Sequence, residues 1–198
     1  MKPYLVAIGL LLFVGLAGAR SANATPVTYS TTGSFNGGPS TSVSPITFGA
    51  GANTLTLTFT GVSATVDANP FTFASLGQFK TTVTGTGATI TPGTTFTLTV
   101  NQTAPGGGSG SFPATLTGTI DTDQSTGIVT FSVTSVTINN VIYALTNNPL
   151  PLVPPNTNNG VTTIQAQITA VPEPATMLLL GTGLAGVAAK VRRRRQVA

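Results

Sequence analysis

Along much of this chain threonine alternates, residue by residue, with an apolar side chain. "NTLTLTFTG" sets Leu55, Leu57 and Phe59 on one side and threonines on the other. "TTFTLTVNQT" repeats the pattern with Phe96, Leu98 and Val100, and "ATLTGTID" with Leu116 and Ile120. "GIVTFSVTSVTIN" continues it through Val129, Phe131, Val133, Val136 and Ile138. Successive side chains of a strand point to opposite faces, so a period of two describes half-buried strands. Threonine suits the wet face: its branched β-carbon favours extended backbone and its hydroxyl tolerates water.

Shorter stretches extend the reading: "PVTYSTTG", "ITFGA", "VSATVD", "GQFKTTVTG", "VIYALT" and "VTTIQAQITAV". Turn signals such as "NGGPS", "TGTGA", "TPGT", "APGGGSG" and "DQSTG" separate them. Many short strands with regular turns predict an all-β fold, an antiparallel β-sandwich of jelly-roll or immunoglobulin-like order, over residues 25–170. Proline cannot donate to a ladder, so the Pro-rich stretch Asn147 to Pro155 reads as a long surface loop.

Charge and reactive side chains narrow the chemistry. Only 6% of residues are charged, against about 25% in an average soluble protein, while 40% are hydrophobic. Disorder needs the opposite balance, so the body folds. There is no Cys and no His, which removes thiolate and histidine-based nucleophilic catalysis together with the common zinc sites. Before Glu173 the acids are Asp67, Asp121 and Asp123. That set falls short of the facing carboxyl pair a glycosidase uses, so the chain reads as non-enzymatic and free of cofactors.

The ambiguous segment is "DTDQSTG", Asp121 to Gly127. Asp121, Asp123 and Ser125 have the spacing of oxygen ligands to calcium, but Gly127 comes one place late and Ser132 stands where a bidentate Glu is wanted. The other reading is a hairpin loop whose Asp side chains bond nearby backbone N–H groups.

The formal charge of +4 belongs to the ends. Between Thr25 and Val171 there is one lysine, Lys80, against three aspartates. A nucleic-acid partner is therefore not expected, because its recognition needs a basic face on the folded body. At the front, Lys2, the apolar run Tyr4 to Gly18 and two small-x-small sites make residues 1–24 a secretory signal peptide for the Sec translocon. Cleavage after Ala24, with Ala22 at the preceding small position, leaves a short polar stretch behind the apolar run. The alternative site is Ala17-Gly18-Ala19, and an uncleaved anchor is the competing reading.

At the back, Val171-Pro172-Glu173-Pro174 precedes a run without charge from Ala175 to Ala189, then Lys190 and Arg192, Arg193, Arg194 and Arg195. The two prolines hold Glu173 in extended, accessible backbone. As a helix the uncharged run measures about 22 Å at 1.5 Å per residue, shorter than a hydrocarbon core of roughly 30 Å. The arginines keep its far end cytoplasmic by the positive-inside rule, which makes a transmembrane helix and an inner-membrane intermediate with the body outside.

In motif, apolar stretch and basic tail, residues 171–198 resemble the PEP-CTERM sorting signal of Gram-negative bacteria. The resemblance implies recognition by an exosortase, a membrane-embedded cysteine transpeptidase-like enzyme, with Val171, Pro172, Glu173 and Pro174 as the sorting motif and Lys190 and Arg192 to Arg195 as the tail. "NPFTFASLGQFKTTVTGTGATITPGTTFTLTVNQT", through Phe73, Leu76, Gly77 and Phe79, resembles the choice-of-anchor β-domains found upstream of such signals. The expected function is that of an exported, non-enzymatic surface or extracellular matrix protein, associated with exopolysaccharide or biofilm. The alternative is a carbohydrate-binding or adhesive module. Such sites stack sugars on exposed aromatics, and here there is no Trp, with Tyr29 and Tyr143 the tyrosines outside the signal.

Overall fold

The alternating stretches fold as strands whose apolar faces meet across a sandwich. The computed structural model describes residues 26–171 and, beyond them, the single positions Gly181, Gly183, Leu184 and Gly186. The signal peptide, with Ala22 and Ala24, lies outside the described residues. So do Pro172, Glu173, Pro174, most of the apolar run and the basic tail. No helix among the described residues is long and apolar enough to cross a membrane.

The first seven strands are β1 (Pro26–Phe35), β2 (Val43–Ala50), β3 (Asn53–Thr60), β4 (Ser63–Asp67), β5 (Phe71–Thr84), β6 (Ala88–Thr89) and β7 (Thr95–Ala104). Then come β8 (Gly108–Thr117), β9 (Thr119–Ile120), β10 (Ile128–Phe131), β11 (Ser135–Ile138), β12 (Val141–Leu145), β13 (Leu150–Pro151) and β14 (Val161–Ala170). One six-stranded sheet has the order β13-β10-β8-β7-β1-β4 and the other β11-β12-β14-β5-β3-β2, with β6 and β9 as a small ribbon. Every pairing in the two sheets is antiparallel. Six strands a side exceeds the immunoglobulin arrangements of seven or nine strands in all.

The centre is aromatic. Phe35 and Phe96 come from one sheet, Phe59 and Phe79 from the other. Their ring centroids lie 4.9 Å apart for Phe79–Phe96, 5.0 Å for Phe35–Phe96 and 5.1 Å for Phe59–Phe96. The rings are tilted or edge-on, the geometries aromatic pairs prefer. Two glycines make the room. A Cβ on Gly33 of β1 would collide with the Phe59 and Phe96 rings, and one on Gly77 of β5 would sit 2.7 Å from Phe59 Cε2. Gly77 also has φ +125, open to glycine at no steric cost.

Outside this centre, the two sheets are tied by buried tyrosines. Tyr29 on β1 donates to the Ser75 carbonyl on β5 at 2.8 Å. In the reverse sense Tyr143 on β12 donates to Gln102 Oε1 on β7 at 2.9 Å. Gln102 Nε2 then donates to the Gly106 carbonyl at 2.9 Å. The two phenol rings meet edge-on at 5.8 Å. On the wet faces, threonines pair across strands, as Thr28 with Thr65 at 2.9 Å and Thr47 with Thr56 at 3.0 Å.

Three expectations change. The stretch "GIVTFSVTSVTIN" is two strands in different sheets, β10 and β11, broken at Ser132–Thr134. Val133, expected on the core face, lies in that break and is 37% exposed. The run "ATLTGTID" also divides, because Gly118 takes φ +103 between β8 and β9. Finally, the Pro-rich stretch is not wholly a surface loop. Leu150 and Pro151 pair with Val129 and Ile128, and Leu150 and Leu152 are buried. Proline is accommodated because β13 is an edge strand, where a missing N–H faces no neighbour.

The aromatic centre predicts a steep contrast. Phe96→Ala should lower the unfolding free energy by about 3–5 kcal/mol, whereas Phe73→Ala, on the surface, should change it by less than about 0.5 kcal/mol; equilibrium urea unfolding measures both. A second expectation concerns alkali. Burial pushes the Tyr29 hydroxyl from its ordinary 10.0 up to about 12. Burial, then the neighbouring Tyr29, pushes Tyr143 up as well. The fold favours the neutral phenol, so this stabilisation is complete below pH 10 and is lost as pH rises through about 12. Phenolate absorbance of the folded body should therefore appear above the ordinary range and coincide with loss of near-ultraviolet circular dichroism.

Candidate functional site

The sorting motif begins where the sandwich ends. β14 runs between β12 and β5, and its last pairing with β12 sets Ala170 opposite Val141. One more bond follows: the Val171 N–H donates to the Asn140 carbonyl at 2.7 Å. Asn139 and Asn140 form the tight turn between β11 and β12, with φ of 43° and 65°. Asparagine tolerates this left-handed backbone better than branched residues do. Pro172 has no N–H, so the ladder cannot extend by that donor. Val171 is thus pinned by its backbone while its side chain is 43% exposed. The rest of the motif starts from a fixed point at the edge of a folded body.

Asp121, Asp123 and Ser125 do come together, around a turn. Asp121 Oδ1 accepts the Asp123 N–H at 2.8 Å and the Gln124 N–H at 2.6 Å. Ser125 Oγ accepts the Gly127 N–H at 3.0 Å, and Asp123 Oδ1 accepts from Asn156 Nδ2. Ile120 and Ser125 form an antiparallel bridge across the turn. These oxygens bond backbone and amide donors of the protein, the contacts of a hairpin loop. Among the described residues no three His, Cys, Asp or Glu side chains are grouped to hold a metal.

Elsewhere the surface offers a shallow cleft of about 430 Å³ lined by Asn36, Ile46, Thr47, Phe48 and Thr91 to Thr94. Its lining contains no group that titrates near neutral pH. The two tyrosines considered for sugar stacking are core residues, both nearly inaccessible. The exposed aromatics are instead Phe71 at 47% and Phe73 at 63%, which period-two reasoning assigns no face because β5 slips its register beyond them. In solution, Asp121→Ala should cost about 1 kcal/mol through the lost backbone bonds. Millimolar calcium should leave the melting temperature unchanged, and calorimetric heat on calcium addition would contradict the hairpin assignment.

Residues 170–195 match the family model for the PEP-CTERM protein-sorting motif. The match begins at Ala170, the last residue of β14, and takes in Glu173 and the arginines. No curated protein and no solved structure matches the chain. The match does not extend over the body, so the choice-of-anchor likeness of residues 69–103 stays a resemblance. The chain is therefore an all-β sandwich that carries a PEP-CTERM protein-sorting motif at residues 170–195.

Proposed function

We propose that this protein is a non-enzymatic component of the cell surface or extracellular matrix, associated there with exopolysaccharide or biofilm. Its sorting motif marks it as an exosortase-processed, exported protein. In the proposed route the Sec translocon exports the chain, and residues 1–24 are removed. The body then waits outside the inner membrane, held by the segment Ala175 to Ala189 with Lys190 and Arg192 to Arg195 inside. The exosortase acts near Val171-Pro172-Glu173-Pro174 and frees or transfers the body.

The observation that carries this reading is the motif match that begins at the end of the last strand. Among the described residues the ladder runs as far as Val171, and the motif match spans 170–195. The proposal that the body is inert rests on its side chains: hydroxyls, amides and aromatics that are buried apart from Phe71 and Phe73, with Lys80, Asp67, Asp121 and Asp123 as its charges. A thick, hydroxyl-faced, weakly charged shell suits a hydrated polysaccharide layer, which offers hydrogen bonds and few charges.

Intact-mass measurement of the exported protein, in strains with and without the exosortase, tests this. With the enzyme the mature form should begin near Thr25 and lack Arg192 to Arg195. Without it the arginines should be retained. Arginines present in both strains would contradict the sorting reading.

A further inference from the structure

The two exposed phenylalanines have a structural cause. β5 and β14 pair Ile164 with Gly77 and Gln165 with Ser75, which leaves Leu76 unmatched. This bulge reverses which residues of β5 face the core. After it, Phe79, Thr81 and Leu76 itself are buried; before it, Phe71 and Phe73 point outward. Their rings meet edge-on, 5.7 Å apart and at 76°. Every other phenylalanine among the described residues is buried. On the side of β5 away from β14, β3 reaches only Gln78, so it does not cover this half of the strand.

The position of the pair says what lies against it. Phe71 is opposite Thr169 and Phe73 opposite Gln167 on β14. Val171, two residues beyond Thr169, is the diagonal neighbour of Phe71. The aromatic pair therefore adjoins the point where the chain leaves the body. From there Pro172 to Pro174 span at most about 10 Å before the uncharged run begins at Ala175. The start of the body is at the same end, since Pro26 pairs with Asp67, four residues before Phe71. Among the described residues Asp67 is the charged one at that end, while Lys80 lies along β5 and Asp121 and Asp123 lie beyond the far end of β8; Glu173 follows in the tether itself.

We propose that Phe71 and Phe73, with Val171, form a lipid-contact ledge that seats the body on the outer surface of the membrane while the C-terminal segment holds it there. The inference rests on the reading that Ala175 to Ala189 enters the bilayer. A tether of three residues keeps this end of the body at the headgroups, and apolar rings there are stabilised by the acyl boundary. The contact is apolar, so salt does not release it, unlike docking through basic residues. Perpendicular rings provide no flat platform for a sugar, which sets the pair apart from a stacking site. Seating the body fixes the height and orientation of Glu173 for a membrane-embedded enzyme.

Because the chain has no tryptophan, Phe73→Trp and Phe71→Trp each install a single reporter. The full chain is reconstituted in phosphatidylcholine vesicles and floated to confirm insertion, then compared in ordinary and brominated lipid. Both reporters should lose about half their emission in brominated lipid, at low and high salt, since an interfacial ring sits about 5–10 Å into the headgroup boundary. A reporter at the opposite end, Ala52→Trp in the β2–β3 turn, should be unaffected. Flotation without quenching at 71 or 73 overturns the ledge and leaves the membrane segment standing. Failure to float overturns both. A blue shift that is insensitive to bromine but fades as protein is diluted in the vesicles assigns the pair to a second copy, and a response to added polysaccharide in place of lipid assigns it to sugar; either overturns the proposal.

Discussion

The Phe59 ring, held between the two sheets, is the contact on which the rest of the sandwich depends. It packs at 5.1 Å from Phe96 of the facing sheet and 5.8 Å from Phe79 of its own. It fits because Gly33 on one side and Gly77 on the other carry no Cβ. Burying a phenylalanine contributes about 1.5–3 kcal/mol, and filling the space leaves no cavity to offset it. The same glycine that admits the ring sits beside the bulge at Leu76, where β5 reverses its faces. That reversal turns Phe71 and Phe73 outward. The tightly packed centre and the apolar ledge thus lie on one strand, on either side of a single bulge.

Around this centre the chain holds together with almost no charge. Tyr29 and Tyr143 link the sheets through one hydrogen bond in each direction. Buried hydroxyls of this kind are stabilising only while their partners are present, since an orphaned acceptor such as Gln102 Oε1 costs about 1–3 kcal/mol. Thr81 Oγ1 is the exception among the described residues, buried without a partner. Among the described residues the outer faces use neutral threonine pairs, which salt does not screen.

The central strands were legible because each keeps its alternation and both of its neighbours. β3 and β7 match "NTLTLTFT" and "TFTLTVNQT" nearly residue for residue. Legibility stopped where backbone geometry changes which face a residue takes. Val133 and Val136 differ in parity, and that slip marks where the chain crosses from one sheet to the other. Gly118, the bulge at Leu76 and the edge position of Pro151 act in the same way: each is set by a neighbour distant in sequence, which periodicity cannot report. The sorting motif was legible for the opposite reason. It is recognised as a linear string of proline, acid, apolar run and arginines, so its information is in the order of residues rather than in a fold. The ledge was illegible, since "PFTFASLG" reveals its outward phenylalanines only when Leu76 is seen to be unmatched.

The separation of cargo from address can be measured directly. Urea unfolding of a chain trimmed to residues 25–171 should share its midpoint and slope with unfolding of the sandwich in the detergent-held full chain, because the core contacts described above all lie within those bounds. A trimmed chain that unfolds at markedly lower urea, or does not fold, would show that the terminal segments contribute to the fold and would contradict the account.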